Sequence, residues 1–305
     1  FGYAADELVG ESLTMLMPEA LRQRHRDAVA RYLRTGERHI PWNGIELPGL
    51  TRDGHEIPVE ISFGEYEENG RHYFSGIITD LRPRKAATER AEKRLSFLSR
   101  ASAALSQSLD QEKTLRTIAE MAVPELADWA MIDLVADDGD VKRVAVQHQD
   151  PEKRELLRRI AELYPPRRDA AHGAMRVIRT GQTECVEDVT DKVIEETAVD
   201  EKHRDLLKQL GIRSLVAVPL KAHGRTLGAI TLAYAESGRS YDESDRALVE
   251  ELGNRAGMAI HNSQVVRQLE ETRQQLEKQT EELTHQKEEL RAATRRLNLL
   301  LEQTP

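Results

Sequence analysis

Leucine returns at every seventh position from Leu269 through Leu276, Leu283 and Leu290 to Leu297, and no proline or glycine interrupts Val266–Leu301. Three residues before each leucine stands Val266, Arg273, Thr280, Lys287 or Thr294, and Leu301 continues that second series. With leucine at heptad position d, these residues fall at a. Leucine at d suits a parallel two-stranded coiled coil, and polar a residues fix its register at a cost in stability. The predicted contact residues are Val266, Leu269, Leu276, Leu283, Leu290, Leu297 and Leu301. A lone surface helix does not explain five in-register leucines, which need a partner to bury them. Such a helix makes a poor enzyme core and a good mechanical coupler, so the rest of the chain is read as feeding it.

The chain has 305 residues, room for two domains and helical connections. Charged residues make up 32% and aromatics 4%, as expected where much helix is exposed. A net charge of −9 argues against nucleic acid or an anionic membrane as the main partner. No apolar run approaches the ~20 residues of a membrane-spanning helix, and no signal peptide is visible. The single cysteine, Cys185, permits no internal disulfide. A cytoplasmic location is expected. Phe1-Gly2-Tyr3 reads as mid-domain, and Leu299–Pro305 as a helix running onward, so a piece of a longer protein is expected.

Residues 1–84 open with two short helical patterns: Asp6–Gly10, then Pro18 through Tyr32 with Gly36 as the stop. Three strand-like runs follow, Ile45–Thr51, Ile57–Tyr66 and His72–Leu81. Arg52-Asp53-Gly54-His55 and Glu68-Asn69-Gly70 supply the turns between them. Ile57, Val59, Ile61 and Phe63 alternate onto one face. Short helices followed by an antiparallel meander predict an α+β domain. Residues 85–110 predict a connecting helix. Its weaker seam runs through Thr88, Ala91, Leu95, Leu98, Ser102, Leu105 and Leu109, and the same residues suit a helix packing on the next domain's sheet.

Residues 111–262 predict a second α+β domain. It has a helix at Gln111–Leu126, strands at Trp129–Val135 and Val141–His148, and helices at Pro151–Leu163 and Ala171–Thr180. A short strand at Thr183–Glu187 precedes a polar helical stretch, Asp188–Leu210. A hairpin then joins Ile212–Leu220 to Thr226–Ala235 about His223-Gly224-Arg225, and a terminal helix starts at Ser244.

Two families are suggested by these residues. Phe1-Gly2-Tyr3 with Glu7-Leu8-Val9-Gly10, Arg52-Asp53-Gly54, Pro58-Val59-Glu60 and Gly76–Leu81 resemble the C-terminal two thirds of a PAS domain. The family's closing Asp-Ile-Thr stands here as Asp80-Leu81-Arg82. Leu210–Ser214 with Val218-Pro219-Leu220, Leu227–Ile230, Tyr241–Asp245 and Ala256–Asn262 resemble a GAF domain. The resemblance implies antiparallel sheets with helices, joined and followed by coiled-coil helices, and a ligand pocket between sheet and helices. It also implies the sensory part of a bacterial signalling protein, a sensor histidine kinase above others. A PP2C-type phosphatase, a haem oxygen sensor of FixL type and a ligand-free dimerisation scaffold are the alternatives. The domain plan is 1–84 PAS, 85–110 connecting helix, 111–262 GAF and 263–305 coiled coil, acting as a homodimer. The GAF sheet, with Asp188–Leu210 as lid, is expected to hold the best enclosed pocket for a small molecule.

No catalytic signature stands out: no P-loop, no kinase nucleotide motif and no zinc spacing are found. His285 falls at heptad position f, facing solvent. Met17-Pro18-Glu19-Ala20, His25, Arg31-Tyr32 and Thr35-Gly36-Glu37 are similar to the haem PAS domains of FixL-type sensors, where the matching histidine ligates iron. Ile45 takes the place of that family's distal arginine, and Ile40–Gly44 lacks its glycine pattern. A surface or capping role is therefore expected for His25, with haem as the alternative. Leu13 stands where light-sensing PAS domains carry their flavin-reactive cysteine. No cysteine accompanies Glu201–Asp205, where a bilin would attach. The Asn-Lys-x-x-x-Phe-Asp-Glu motif of cyclic-nucleotide GAF domains is missing. Cys185, in a short apolar strand, is read as a buried, inert thiol. The expected cofactor content is none.

Overall fold

The structure, a computed structural model, describes residues 1–302 except Leu109, Asp137 and Arg168. For residue 289 and residues 292–302 it describes the helix but not the side chains, so Leu297 and Leu301 lie outside the described side chains, as Leu109 does altogether. The chain divides into two compact units, Phe1–Leu95 and Ser96–Pro305.

The first unit begins with α1 (Ala5–Leu8), a 3-10 turn at Leu13–Leu16 and α2 (Glu19–Thr35). Gly36 ends α2 in the left-handed region at φ 68°, which glycine adopts without steric penalty. Strands β1 (Ile45–Leu50), β2 (Glu56–Glu68) and β3 (Arg71–Asp80) form an antiparallel sheet in sequence order. Ile61 faces Ile45 on one side and Ile78 on the other, so the alternation along β2 builds one apolar face. Only part of that face is closed: Ile57 and Val59 are buried, whereas Ile61, Phe63 and Ile78 are half-buried. At its edge Tyr32 packs on Trp42 with ring centroids 5.1 Å apart, and its hydroxyl donates to the Glu65 carboxylate at 2.6 Å. Arg38 lies 4.0 Å over the Trp42 ring and 3.2 Å from Glu65.

Helix α3 (Arg82–Ser106) starts and ends a few residues before the predicted connector, and its last part belongs to the second unit. There Phe97, Ala101 and Leu105 are buried in the sheet-facing core while Leu95 is 69% exposed. This end of the helix thus packs on the sheet of the second unit.

The second unit continues with α4 (Gln111–Glu125), β4 (Trp129–Val135), β5 (Val141–His148), α5 (Pro151–Leu163) and α6 (Ala174–Thr180). Then come β6 (Glu184–Val186), α7 (Asp191–Thr197), α8 (Glu201–Leu210), β7 (Ser214–Ala222), β8 (Arg225–Tyr234) and α9 (Glu243–Glu302). The predicted Asp188–Leu210 helix is two helices, because Asp200 turns extended and caps α8 by accepting from His203 N–H at 2.7 Å.

The five strands form an antiparallel sheet in the order β5-β4-β8-β7-β6. Alternation sends Ala130, Ile132, Val216, Val218, Leu220, Ile230 and Leu232 to one face, under the end of α3, α4 and the start of α9. Gly228 fits its place because a Cβ there would sit 2.2 Å from the Asp133 carbonyl oxygen. Asp242 caps α9, accepting from the Ser244 and Asp245 N–H groups at 2.9 and 2.8 Å. Over 60 residues α9 runs about 90 Å at 1.5 Å per residue. Its first turns lie so close to β7 that only glycine fits: a Cβ on Gly253 would be 2.9 Å from Pro219 O, and one on Gly257 2.3 Å from Lys221 O. No described helix is long and apolar enough to cross a membrane.

Candidate functional site

The second face of the five-stranded sheet is ordered in rows by strand register. One row reads Glu184, Ala217, Thr231, Met131, Val146 across β6, β7, β8, β4 and β5. The next reads Val186, Leu215, Ala233, Trp129, His148. A third brings Ala229, Asp133 and Arg143 side by side. Small residues thus occupy the middle, and large or polar ones the flanks.

Helices α5, α6 and α8 cover this floor. Val177 of α6 packs on Ala217 and Ala229. Leu157 and Ile160 of α5, with Leu206 and Leu210 of α8, pack around Trp129 and Ala233. Burying each such leucine contributes about 1.5–3 kcal/mol. At the end of the cover, Tyr164 stacks on His203 with centroids 4.2 Å apart and donates its hydroxyl to Asp200 at 2.9 Å. Val199 N–H donates to His203 Nδ1, and burial holds that imidazole's pKa below its ordinary value, favouring the neutral ring. The His203 backbone N–H and then the Tyr164 hydroxyl lower the pKa of Asp200. These contacts fasten α8 to the end of α5.

The expected pocket is therefore not open. Apolar side chains from α5, α6 and α8 occupy the floor, and two concavities among the described residues lie elsewhere. One is a groove along α9 lined by Leu269, Arg273, Leu276 and Thr280. The other is a crevice of about 10 Å³ between α3, α4 and α9, beside Gln111, Thr114 and Ser263.

The polar groups on the covered face fall into two classes. Some are satisfied. Arg143 donates to both oxygens of fully buried Asp133, at 2.8 and 3.2 Å. Glu184 accepts from Gly173 N–H at 2.8 Å and meets His172 Nδ1 at 2.7 Å. Others are not. Among the described residues, the buried side-chain atoms with no hydrogen-bond partner are Trp129 Nε1, His148 Nε2, Thr231 Oγ1 and Arg176 Nη1. All four belong to this face or its cover. His148 Nε2 is 3.6 Å from Glu236 and Arg176 Nη1 is 3.8 Å from Glu184, both beyond hydrogen-bond distance. A buried polar atom without a partner costs roughly 1–3 kcal/mol, so four on one face require a reason.

The residues singled out from sequence are placed as follows. His25 is half-buried on α2, neither fully exposed nor a cap as expected, and burial lowers its pKa. It lies in the other unit from the covered face. Cys185 is half-buried against the core, and burial, then Glu187, raises its thiol pKa, consistent with an inert thiol. Val266 is 41% exposed, and Leu269, Leu276, Leu283 and Leu290 are 58–69% exposed. The unsatisfied donors escaped sequence reading, because an unmet hydrogen bond has no sequence signature. Asp133 did leave one: an aspartate inside the apolar run Trp129–Val135 must find a cation.

Residues 110–260 match the family model of the GAF domain. The sensor protein FixL of Bradyrhizobium diazoefficiens is 32% identical over 120 residues, which cover 36% of this chain and 24% of FixL. An uncharacterized protein of Azorhizobium caulinodans is 34% identical over 98 residues, 32% of this chain and 13% of that protein. The match thus spans a quarter or less of these relatives' own length. Among solved structures, the GAF domain of a phosphoenolpyruvate-protein phosphotransferase from Coxiella burnetii superposes with a TM-score of 0.43 at 18% identity. It covers 57% of this chain and 96% of that one. A GAF domain assigned to a sensor histidine kinase of Pseudomonas syringae pv. tomato gives a TM-score of 0.41 at 16% identity, with 62% and 99% coverage. Residues 110–260 of this chain are a GAF domain.

Proposed function

We propose that this chain is the sensory and signal-transmitting segment of a homodimeric signal-transduction protein. Residues 1–84 act as a PAS-type input, 85–110 as a connecting helix, 111–262 as the GAF input, and 263–305 as a parallel coiled coil leading to an output, a histidine kinase above others. The observation that carries this reading is the continuity of α9. One helix is wedged by Gly253 and Gly257 against β7, a strand of the candidate sensory floor, and then presents unburied leucines at heptad spacing. A shift of β7 has a rigid route to the coiled coil. A similarity to the sensor protein FixL supports the class.

Arg273 at a weakens the middle of the zipper, although Glu270 and Glu277 stand 3.9 and 3.8 Å from it within its own helix. Replacing Arg273 and Lys287 together by isoleucine is expected to tighten dimerisation about tenfold or more, roughly 1.4 kcal/mol, by sedimentation equilibrium. Unchanged or weaker association would remove the zipper from the account.

A second reading, a haem-based sensor, has one observation in its favour: half-buried His25 is held toward the neutral form that ligates iron. The expected spectrum of the purified protein has no Soret band. Stoichiometric haem that is lost in His25→Ala would establish the second reading instead.

A further inference from the structure

We infer that His223 and His261 form a two-histidine site for a divalent transition metal ion, zinc or copper by the preference of imidazole, where the β7–β8 hairpin meets α9. The two residues are far apart in sequence and meet only in the fold, so no ligand spacing announces them. Their ring centres are 4.7 Å apart, with the planes at 65°. Among the described residues neither ring is engaged in a hydrogen bond or an ion pair.

Strand register places His223. Ala222 of β7 pairs with Arg225 of β8, so His223 and Gly224 are the two residues of a tight hairpin turn. Both have positive φ, 48° and 79°. Such turns are dominated by asparagine, aspartate and glycine, because a larger side chain is strained there. Histidine in that place puts an imidazole at the exposed hairpin tip. The helix places His261. It stands one turn beyond Gly257, where a Cβ would be 2.5 Å from the Lys221 nitrogen, so α9 lies directly on the β7 backbone. That close approach brings the half-buried His261 ring up to the hairpin tip. The Lys221 side chain runs the other way, toward Gly181 at the end of α6, so its charge does not face the pair.

Neutral imidazole is a common ligand for zinc and copper. With metal–nitrogen bonds of about 2.0–2.1 Å and angles of about 90–110°, two imidazoles on one ion hold their ring centres roughly 4.5–5.2 Å apart. The observed separation falls inside that range. The histidine χ2 torsion is broad, so aiming a nitrogen of each ring at the shared point is a small adjustment. Among the described residues no group of three or more histidines, cysteines or carboxylates could hold a metal, so water fills the remaining positions. A pair with open positions is a reversible site and not a closed structural one. A bound ion ties the hairpin to α9 one turn past the Gly257 contact and stiffens the route from β7 to the zipper. That consequence, though not the binding itself, rests on the sensory reading above.

The 305-residue protein, free of any affinity tag, is titrated calorimetrically with zinc, copper(II) and magnesium chlorides. Saturable binding of one zinc ion per chain is expected, with copper tighter in the usual order of divalent affinities. Magnesium, which takes oxygen ligands, should give no binding heat. Zinc should also raise Tm, since the pair exists only in the folded chain. His223→Asn and His261→Gln should each weaken zinc binding by about tenfold or more, because even the outer partners of metal ligands are worth about 10–100-fold. Asparagine suits the positive φ of the turn, so His223→Asn removes the ligand and keeps the hairpin. Zinc binding of equal strength in the parent and both variants would mean an adventitious ion only, held elsewhere, and overturns the site. No saturable heat with zinc or copper overturns it as well. So does a loss confined to one of the two variants, and the rings then make an edge-to-face contact and nothing more.

Discussion

Asp133→Ala is expected to destabilise the GAF domain by about 3–5 kcal/mol, the cost of leaving a buried ion without its partner. Asp133 is wholly buried, Arg143 is 18% exposed, and the two are joined by a bidentate pair on β4 and β5. The alanine variant strands a guanidinium against apolar strands. Asp133→Ala combined with Arg143→Met should recover most of the loss, because removing both ions removes the desolvation penalty with the attraction. Urea unfolding followed by circular dichroism measures both. A loss below about 1 kcal/mol for Asp133→Ala would mean that the pair behaves as a solvated surface bridge.

Gly257→Ala is expected to cost about 2 kcal/mol or more and to prise α9 from β7. Alanine favours the helix by about 1 kcal/mol over glycine. Against that, its Cβ would stand 2.3 Å from the Lys221 carbonyl oxygen and 2.5 Å from the Lys221 nitrogen. Backbone atoms cannot swing aside as a side chain can, and overpacking costs about 1–3 kcal/mol or more. Gly253→Ala, whose Cβ would lie 2.9 Å from Pro219 O, should be milder. A Gly257→Ala protein as stable as its parent would show that α9 is not wedged there. The proposed link from floor to zipper would then lose its mechanical basis.

Patterning makes much of this fold readable in the sequence. Ile57, Val59, Ile61 and Phe63 announce β2 by alternation, Gly36 ends α2 on its φ of 68°, and the glycine after Leu210 ends α8 at φ 63°. The less readable parts depend on tertiary contacts. The polar run Asp188–Leu210 carries no glycine or proline to mark where α7 stops. Gly173, at φ 74°, delays α6 to Ala174, three residues past the expected start. The reach of α3 into the second unit depends on Phe97, Ala101 and Leu105 finding the sheet. The candidate site was legible in its location and not in its state. Sequence places a polar cover over an apolar floor, but it does not say that Val177 and Leu206 fill the space above Ala217 and Ala233. Nor does it say which donors go unmet.

The central claim is that a homodimer passes a change along α9 to equivalent ends of two output domains. Disulfide crosslinking in the zipper tests it most directly. In a Cys185→Ala background, Leu276→Cys and Leu290→Cys proteins are oxidised separately and as a mixture. Facing equivalent leucines in a parallel pair predict that each variant crosslinks to itself, with no mixed product between positions 276 and 290. Mixed products alone, with no self-crosslinking, would place the helices antiparallel and send the outputs apart, contradicting the account.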